Sequence, residues 1–196
     1  SLIDAFPTVE AELATPAVVT SEGNRLAYFV DAAERRISMT SDMSARFLSL
    51  IKQPSAVILP QSAINTVENV GLAMAPGSIV KAAGSSTLYL VDGLTSKVQL
   101  ASSAQAKSVS DSKIFTFTRS ELEKLETRTG FNSIKVQCNS ETYLLDRGVL
   151  YPISAEAASH FPGSAYPLEN STCSSLELSS RAVGQFIRDS RGILYF

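Results

Sequence analysis

Tyrosine recurs inside short apolar strands at four places along the chain: Leu26-Ala27-Tyr28-Phe29-Val30-Asp31, Leu88-Tyr89-Leu90-Val91-Asp92, Thr142-Tyr143-Leu144-Leu145-Asp146 and Ile193-Leu194-Tyr195-Phe196. The tyrosines lie 61, 54 and 52 residues apart. A period near fifty residues is the signature of stacked or radially arranged modules, each too small to bury its apolar faces alone. The surroundings of the tyrosine repeat as well. In the second copy, Ala75-Pro76-Gly77 is a turn signal before the strand Ser78-Ile79-Val80-Lys81, and Asp92-Gly93 is a hairpin signal after the tyrosine strand. Lys97-Val98-Gln99-Leu100 alternates polar and apolar, as a strand with one buried face does. Ser102 or Ser103 then opens a short helix, and Lys113 to Thr118 reads as a fourth strand. Thr118-Arg119-Ser120-Glu121 is a capping-box pattern that opens a last helix through Leu122 and Leu125, ending before Gly130.

The first copy matches with Val18-Val19, the Tyr28 strand and Arg36-Ile37-Ser38, then a helix from Ser41-Asp42 carrying Met43, Phe47 and Leu50, then Val57-Ile58-Leu59. The third runs Ser133 to Val136, the Tyr143 strand, Leu150-Tyr151-Pro152-Ile153, a helix from Ser154 to Ala158, and Tyr166-Pro167-Leu168. The units so defined cover about 14–70, 71–130 and 131–180. Leu2 to Leu13 looks like the strand-and-helix tail of a unit, and 181–196 like the head of one. The expected fold is therefore mainly β with short helices: one repeat domain over 1–196, a small propeller-like ring of about four β units whose last unit, 181–196 plus 1–13, is closed by the two termini. The alternative is an open slice of a longer repeat array.

With 44% hydrophobic and 18% charged residues, the composition is that of a folded chain. A net charge of −2 without a basic stripe gives no electrostatic case for nucleic acid. No apolar run approaches the roughly 20 residues that membrane insertion needs. Ser1 to Thr15 carries three acids and no base, which is not a signal peptide, although a trimmed chain would look the same. Cys138 and Cys173 have neither metal-site nor Cys-x-x-Cys spacing. They read as a disulfide, with two free thiols as the alternative. If formed, the bridge constrains the unfolded chain by roughly 3–4 kcal/mol in the loop-entropy account.

The order Ile79-Val80-Lys81, Leu88-Tyr89-Leu90-Val91-Asp92-Gly93, Lys97-Val98, Ser103-Ala104 and Phe115-Thr116-Phe117-Thr118-Arg119-Ser120-Glu121-Leu122 resembles a known tandem repeat. It is similar to the modules of about fifty residues found in secreted, cell-envelope-associated proteins of actinobacteria and other bacteria. The third copy keeps Tyr143-Leu144-Leu145-Asp146, Gly148, Ile153 and Ser154-Ala155-Glu156, whereas the first lacks the Gly turn after Asp31 and the Glu-Leu ending. The resemblance covers nearly the whole chain. It implies a non-catalytic, secreted or cell-surface module and carries over no functional residues.

Candidate ligand contacts are the residues that recur in register. Tyr28, Tyr89 and Tyr143 could stack on glycans or partners, as could Tyr195, and Asp31, Asp92 and Asp146 could bind calcium or sugar hydroxyls. Against this stands the ordinary use of such residues, tyrosine as packing between modules and aspartate as a turn starter. His160 is the single histidine, and without a Gly-x-Ser-x-Gly elbow it reads as the end of a helix rather than a catalytic base. Glu121 and Glu123 with Asp111, or Glu10 with Glu12, are carboxylate pairs on paper, explained as well by helix first turns. Asn170-Ser171-Thr172 is a glycosylation sequon, relevant only in a eukaryotic secretory host. No catalytic residue, metal site or cofactor is expected. The leading expectation is a surface binding or adhesion module for a cell-wall polysaccharide, glycan or another surface protein. A structural spacer or assembly scaffold without a ligand is the alternative, and a hydrolase of envelope material comes third.

Overall fold

The computed structural model describes residues 13–22, 26–39, 41–72, 74–110, 113–183, 187–188 and 194–195. Three repeats fold the same way. The first comprises β1 (Ala17–Ser21), β2 (Ala27–Val30), β3 (Arg36–Met39), α1 (Ser41–Leu50), β4 (Val57–Leu59), α2 (Gln61–Thr66) and β5 (Asn69–Leu72). The second comprises β6 (Ile79–Ala82), β7 (Leu88–Asp92), β8 (Ser96–Gln99), α3 (Ser103–Val109), β9 (Phe115–Phe117), α4 (Arg119–Leu122) and β10 (Glu126–Arg128). The third comprises β11 (Lys135–Cys138), β12 (Glu141–Asp146), β13 (Val149–Pro152), α5 (Ala155–Ser159), β14 (Tyr166–Pro167), α6 (Asn170–Ser175) and β15 (Glu177–Leu178). A hairpin of β16 (Ile187–Arg188) and β17 (Leu194–Tyr195) follows.

Each repeat builds one open five-stranded sheet, in the orders β4-β1-β2-β3-β5, β10-β8-β7-β6-β9 and β14-β11-β12-β13-β15. The three tyrosine-centred strands make an antiparallel meander, and the two flanking strands join its edges in parallel. Parallel neighbours need a crossover, which explains why a helix precedes each flanking strand. The register is the same in every copy. Tyr28 pairs with Val19, Tyr89 with Val80 and Tyr143 with Val136, and Tyr195 pairs with Ile187 in the terminal hairpin.

Local chemistry sets the ends of the elements. Asp31 accepts the amides of Ala33 and Arg35 at 2.9 Å each, closing the turn between β2 and β3. Arg147 and Gly148 both have positive φ, 52° and 84°, as the two-residue turn from β12 to β13 requires. Ser102 and Ser154 accept amides from Gln105 and Ala157 at 3.1 Å, so Ser102 is the cap of α3. The capping box forms as expected: Thr118 accepts the Glu121 amide while the Glu121 carboxylate takes the Thr118 amide.

The expected propeller-like ring does not form. Each repeat supplies all five strands of its own sheet from one continuous stretch, so no sheet needs a strand lent by a terminus. Among the described residues no sheet closes on itself, and the fourth unit is a two-stranded hairpin. The strand-and-helix reading of Leu2 to Leu13 lies outside the described residues. The sequence reading also missed the fifth strand of each repeat and the helices α2 and α6.

The chain forms two compact units, Ser1–Ala73 and Met74–Phe196. In the first, the tyrosine face of the sheet (Ala17, Val19, Tyr28, Val30) packs with Ile64 of α2. On the other face, Phe29 meets Phe47 of α1 with ring centroids 4.7 Å apart. The second unit holds repeats 2 and 3 around one core. Ile79, Leu88, Leu90 and Val98 of the second sheet share a buried cluster with Val136, Tyr143, Leu145 and Leu150 of the third. The face of repeat 2 opposite its tyrosine thus meets the tyrosine face of repeat 3. Ala106 and Val109 of α3 and Cys173 of α6 fill the same layer.

Candidate functional site

Asp92 ends β7, has no exposed surface, and makes polar contacts that tie repeat 2 to repeat 3. Its carboxylate takes Arg128 Nη1 at 2.7 Å and the backbone amide of Glu169 at 2.9 Å. It also accepts the Thr172 hydroxyl, while Thr172 Oγ1 itself accepts the amide of Gly93 at 2.7 Å. Arg128 reaches Glu169 Oε1 at 3.2 Å and lies over the ring of Tyr166, 5.4 Å from its centroid. Tyr166 meets Phe131 edge-on, its centroid 5.2 Å away. Burial pushes the Asp92 carboxyl above the ordinary aspartate range, against the pull of the Glu169 amide, Thr172 and Arg128. Burial also pushes the Tyr166 hydroxyl up.

Turn chemistry brings these groups together. Asp92-Gly93 turns β7 into β8, and Glu169 and Thr172 stand where β14 passes into α6. Gly93, at φ 80°, leaves room for the Glu169 side chain; a Cβ there would come within 3.0 Å of its Cγ. Gly77, at φ 76°, is tighter still, because a Cβ would stand 2.3 Å from Ser175 Oγ. Repeat 2 therefore offers two side-chain-free turns to one short helix of repeat 3.

The remaining register residues are placed as follows. Tyr28 is buried with the Arg36 guanidinium 5.4 Å from its centroid, and Tyr89 is half-buried with Lys97 Nζ at 5.5 Å. Tyr143 is buried in the inter-repeat core and its hydroxyl donates to Glu141. Tyr195 lies on β17. Asp31 binds its own turn and Arg35, at 2.7 Å from Nη2. Asp146 is exposed at the equivalent position. Of Tyr28, Tyr89, Tyr143, Asp31, Asp92 and Asp146, only Asp146 is exposed. Cys138 and Cys173 form the disulfide, with Cα atoms 5.8 Å apart, so the free-thiol alternative falls away. His160 is exposed and is the C-cap of α5. Glu121 serves the capping box; Glu10, Glu12 and Asp111 lie outside the described residues.

Sequence reasoning missed the buried lysines. Lys97 donates to the carbonyls of Leu122 and Leu125 at 2.7 and 2.6 Å, and Lys135 to those of Phe161 and Ala158 at 2.7 and 3.1 Å. Each caps the C-terminal end of a helix, where cations are favoured. A signal existed for one of them, since Arg36 and Lys97 follow Tyr28 and Tyr89 at the same offset.

A cavity of about 310 Å³ is lined by Asn132, Ser133, Ile134, Phe161, Pro162 and Gly163, with no ionisable side chain. Among the described residues no group of three or more His, Cys, Asp or Glu is placed to hold a metal ion. Nor, among them, is any helix long and apolar enough to cross a membrane. Compared with known proteins, the chain matches no family model and no curated sequence.

Proposed function

We propose that this chain is a structural repeat module, a spacer or assembly scaffold without a small-molecule ligand, and we assign it no catalytic activity. The carrying observation is that the in-register side chains are consumed by the fold. Of the six candidate contacts, Tyr28, Tyr143, Asp31 and Asp92 are buried, Tyr89 is half-buried under Lys97, and Asp146 alone is exposed. Asp92, fully buried, accepts the Glu169 amide and so helps hold one repeat to the next. That is what a module selected for stacking does with a conspicuous acid. A secreted or cell-surface location is part of the proposal, supported by the disulfide and by the resemblance to envelope-associated repeats.

Co-sedimentation with purified cell wall, run beside an unrelated folded domain, tests this reading. The expected result is no excess over the control. Saturable binding that Asp146→Ala abolishes would overturn the scaffold reading in favour of a surface binding module.

A further inference from the structure

The same backbone hydrogen bond recurs at the end of the second helical segment of every repeat. Val67, Leu125 and Leu176 donate their amides to the carbonyls of Ile64, Leu122 and Cys173 at 3.3, 3.1 and 3.3 Å. In the first two repeats a cation on the third strand adds a second bond to that carbonyl. Arg36 Nη1 reaches Ile64 O at 2.8 Å, and Lys97 Nζ reaches Leu122 O at 2.7 Å. Arg36 and Lys97 hold one register position, opposite Val30 and Val91. At that position in repeat 3, opposite Leu145, stands Leu150, which has no side-chain donor. The helix there is fastened by Cys138–Cys173 instead, at positions that Ala82 and Leu122 occupy in repeat 2.

That covalently fastened helix is also the part of repeat 3 that grips repeat 2. Thr172 takes the Gly93 amide, the residue before the helix gives its amide to Asp92, and Ser175 fills the space over Gly77. We infer that Cys138–Cys173 is a redox latch on the polar contacts between the second and third repeats: its reduction frees α6 from the Asp92–Gly93 turn while both sheets and the core they share stay folded. The sheets persist because each keeps its own ladder and the shared core consists mostly of strand residues. The reductant is a dithiol. Its thiolate attacks one sulfur, the S–S bond breaks, and its second thiol resolves the mixed disulfide. The chain gains two electrons and two protons as two thiols, and the dithiol leaves as its own disulfide. Both cysteines are buried, so attack waits on a brief local opening that exposes one sulfur while the bridge is still intact. The latch needs no ligand and does not depend on the scaffold role.

Residue-resolved hydrogen exchange of the full chain, before and after reduction with dithiothreitol and thiol alkylation, tests it. The Gly93, Glu169 and Cys173 amides should exchange faster by about tenfold or more, while the Leu100 and Ala83 amides of the second sheet do not change. Unchanged exchange at Gly93 would overturn the latch, and so would an equal acceleration at all five amides, which marks a global staple. A second arm replaces the bridge without alkylation. The pair Cys138→Ala and Cys173→Leu copies the residues of repeat 2 and should reproduce the fast Gly93 exchange.

Discussion

Thr172 Oγ1 accepts the backbone amide of Gly93 at 2.7 Å, joining two residues 79 positions apart in a bond with no access to water. It is the tightest expression of how the second and third repeats are joined: a hairpin turn of one sheet is gripped by a short helix of the next. Asp92 stands beside that bond, and the strength of the junction turns on it.

Replacing Asp92 with Ala strips Arg128, the Glu169 amide and Thr172 of one buried partner. The expected loss is about 1–3 kcal/mol, since the Glu169 amide and the Thr172 hydroxyl lose a buried charged acceptor while Arg128 keeps Glu169. Asp146→Ala, at the equivalent but exposed position, should change stability by no more than about 0.5 kcal/mol. Urea denaturation of the two variants checks the contrast.

The two buried repeat aspartates should give pH dependences of opposite sign. Burial raises Asp92 above the ordinary value of 3.8, so its contribution is complete below that value and is lost as pH rises through its folded pKa. Burial also acts to raise Asp31, but Arg35 and the turn amides of Arg35 and Ala33 outweigh it and hold the carboxyl lower. Its contribution is present above 3.8 and is lost as pH falls through its folded pKa. Measured from acid to neutral pH, the advantage of the natural chain over Asp31→Asn should grow, and that over Asp92→Asn should shrink. Parallel pH profiles for the two variants would contradict this assignment.

Lys97→Met keeps the buried stem and deletes two hydrogen bonds to the end of α4. A loss of about 1–3 kcal/mol is expected, since two buried carbonyls lose a charged donor. The effect should show as faster amide exchange at Leu125 as well as a lower denaturation midpoint.

Gly77→Ala should destabilise by more than about 1 kcal/mol, because φ is 76° and the new Cβ meets Ser175 Oγ. Ser175→Ala in the same chain removes the clash but not the backbone strain. The double variant should therefore recover part of the loss, and a thermal-denaturation cycle measures how much.

Tyr166 is buried, and among the described residues its hydroxyl has no hydrogen-bond partner. Tyr166→Phe keeps the ring against Phe131 and under Arg128 while deleting that hydroxyl. The variant should be at least as stable as the natural chain, by up to about 1 kcal/mol. A clear loss of melting temperature would show that the hydroxyl does unrecognised work.

What could be read in advance was whatever neighbouring residues decide among themselves. The tyrosine strands, the Asp92-Gly93 turn, the Ser102 and Ser154 caps and the Thr118–Glu121 capping box are local events. The fifth strands were not legible. Glu126-Thr127-Arg128 and Glu177-Leu178 are short and largely polar, and they are strands only because β8 and β13 offer them a parallel edge. For the same reason the termini looked like missing pieces of a ring, when each repeat was already completing its own sheet.

The sequence by itself determined a repeating β module, its register and its turn positions, because alternation and turn propensity act within a few residues. Tertiary structure alone decided that the sheets stay open, and that equivalent aspartates have unequal fates. Asp31 serves its own turn, Asp92 is buried by a neighbouring repeat, and Asp146 faces water. That difference depends on which group arrives from more than seventy residues away, and no local pattern encodes it.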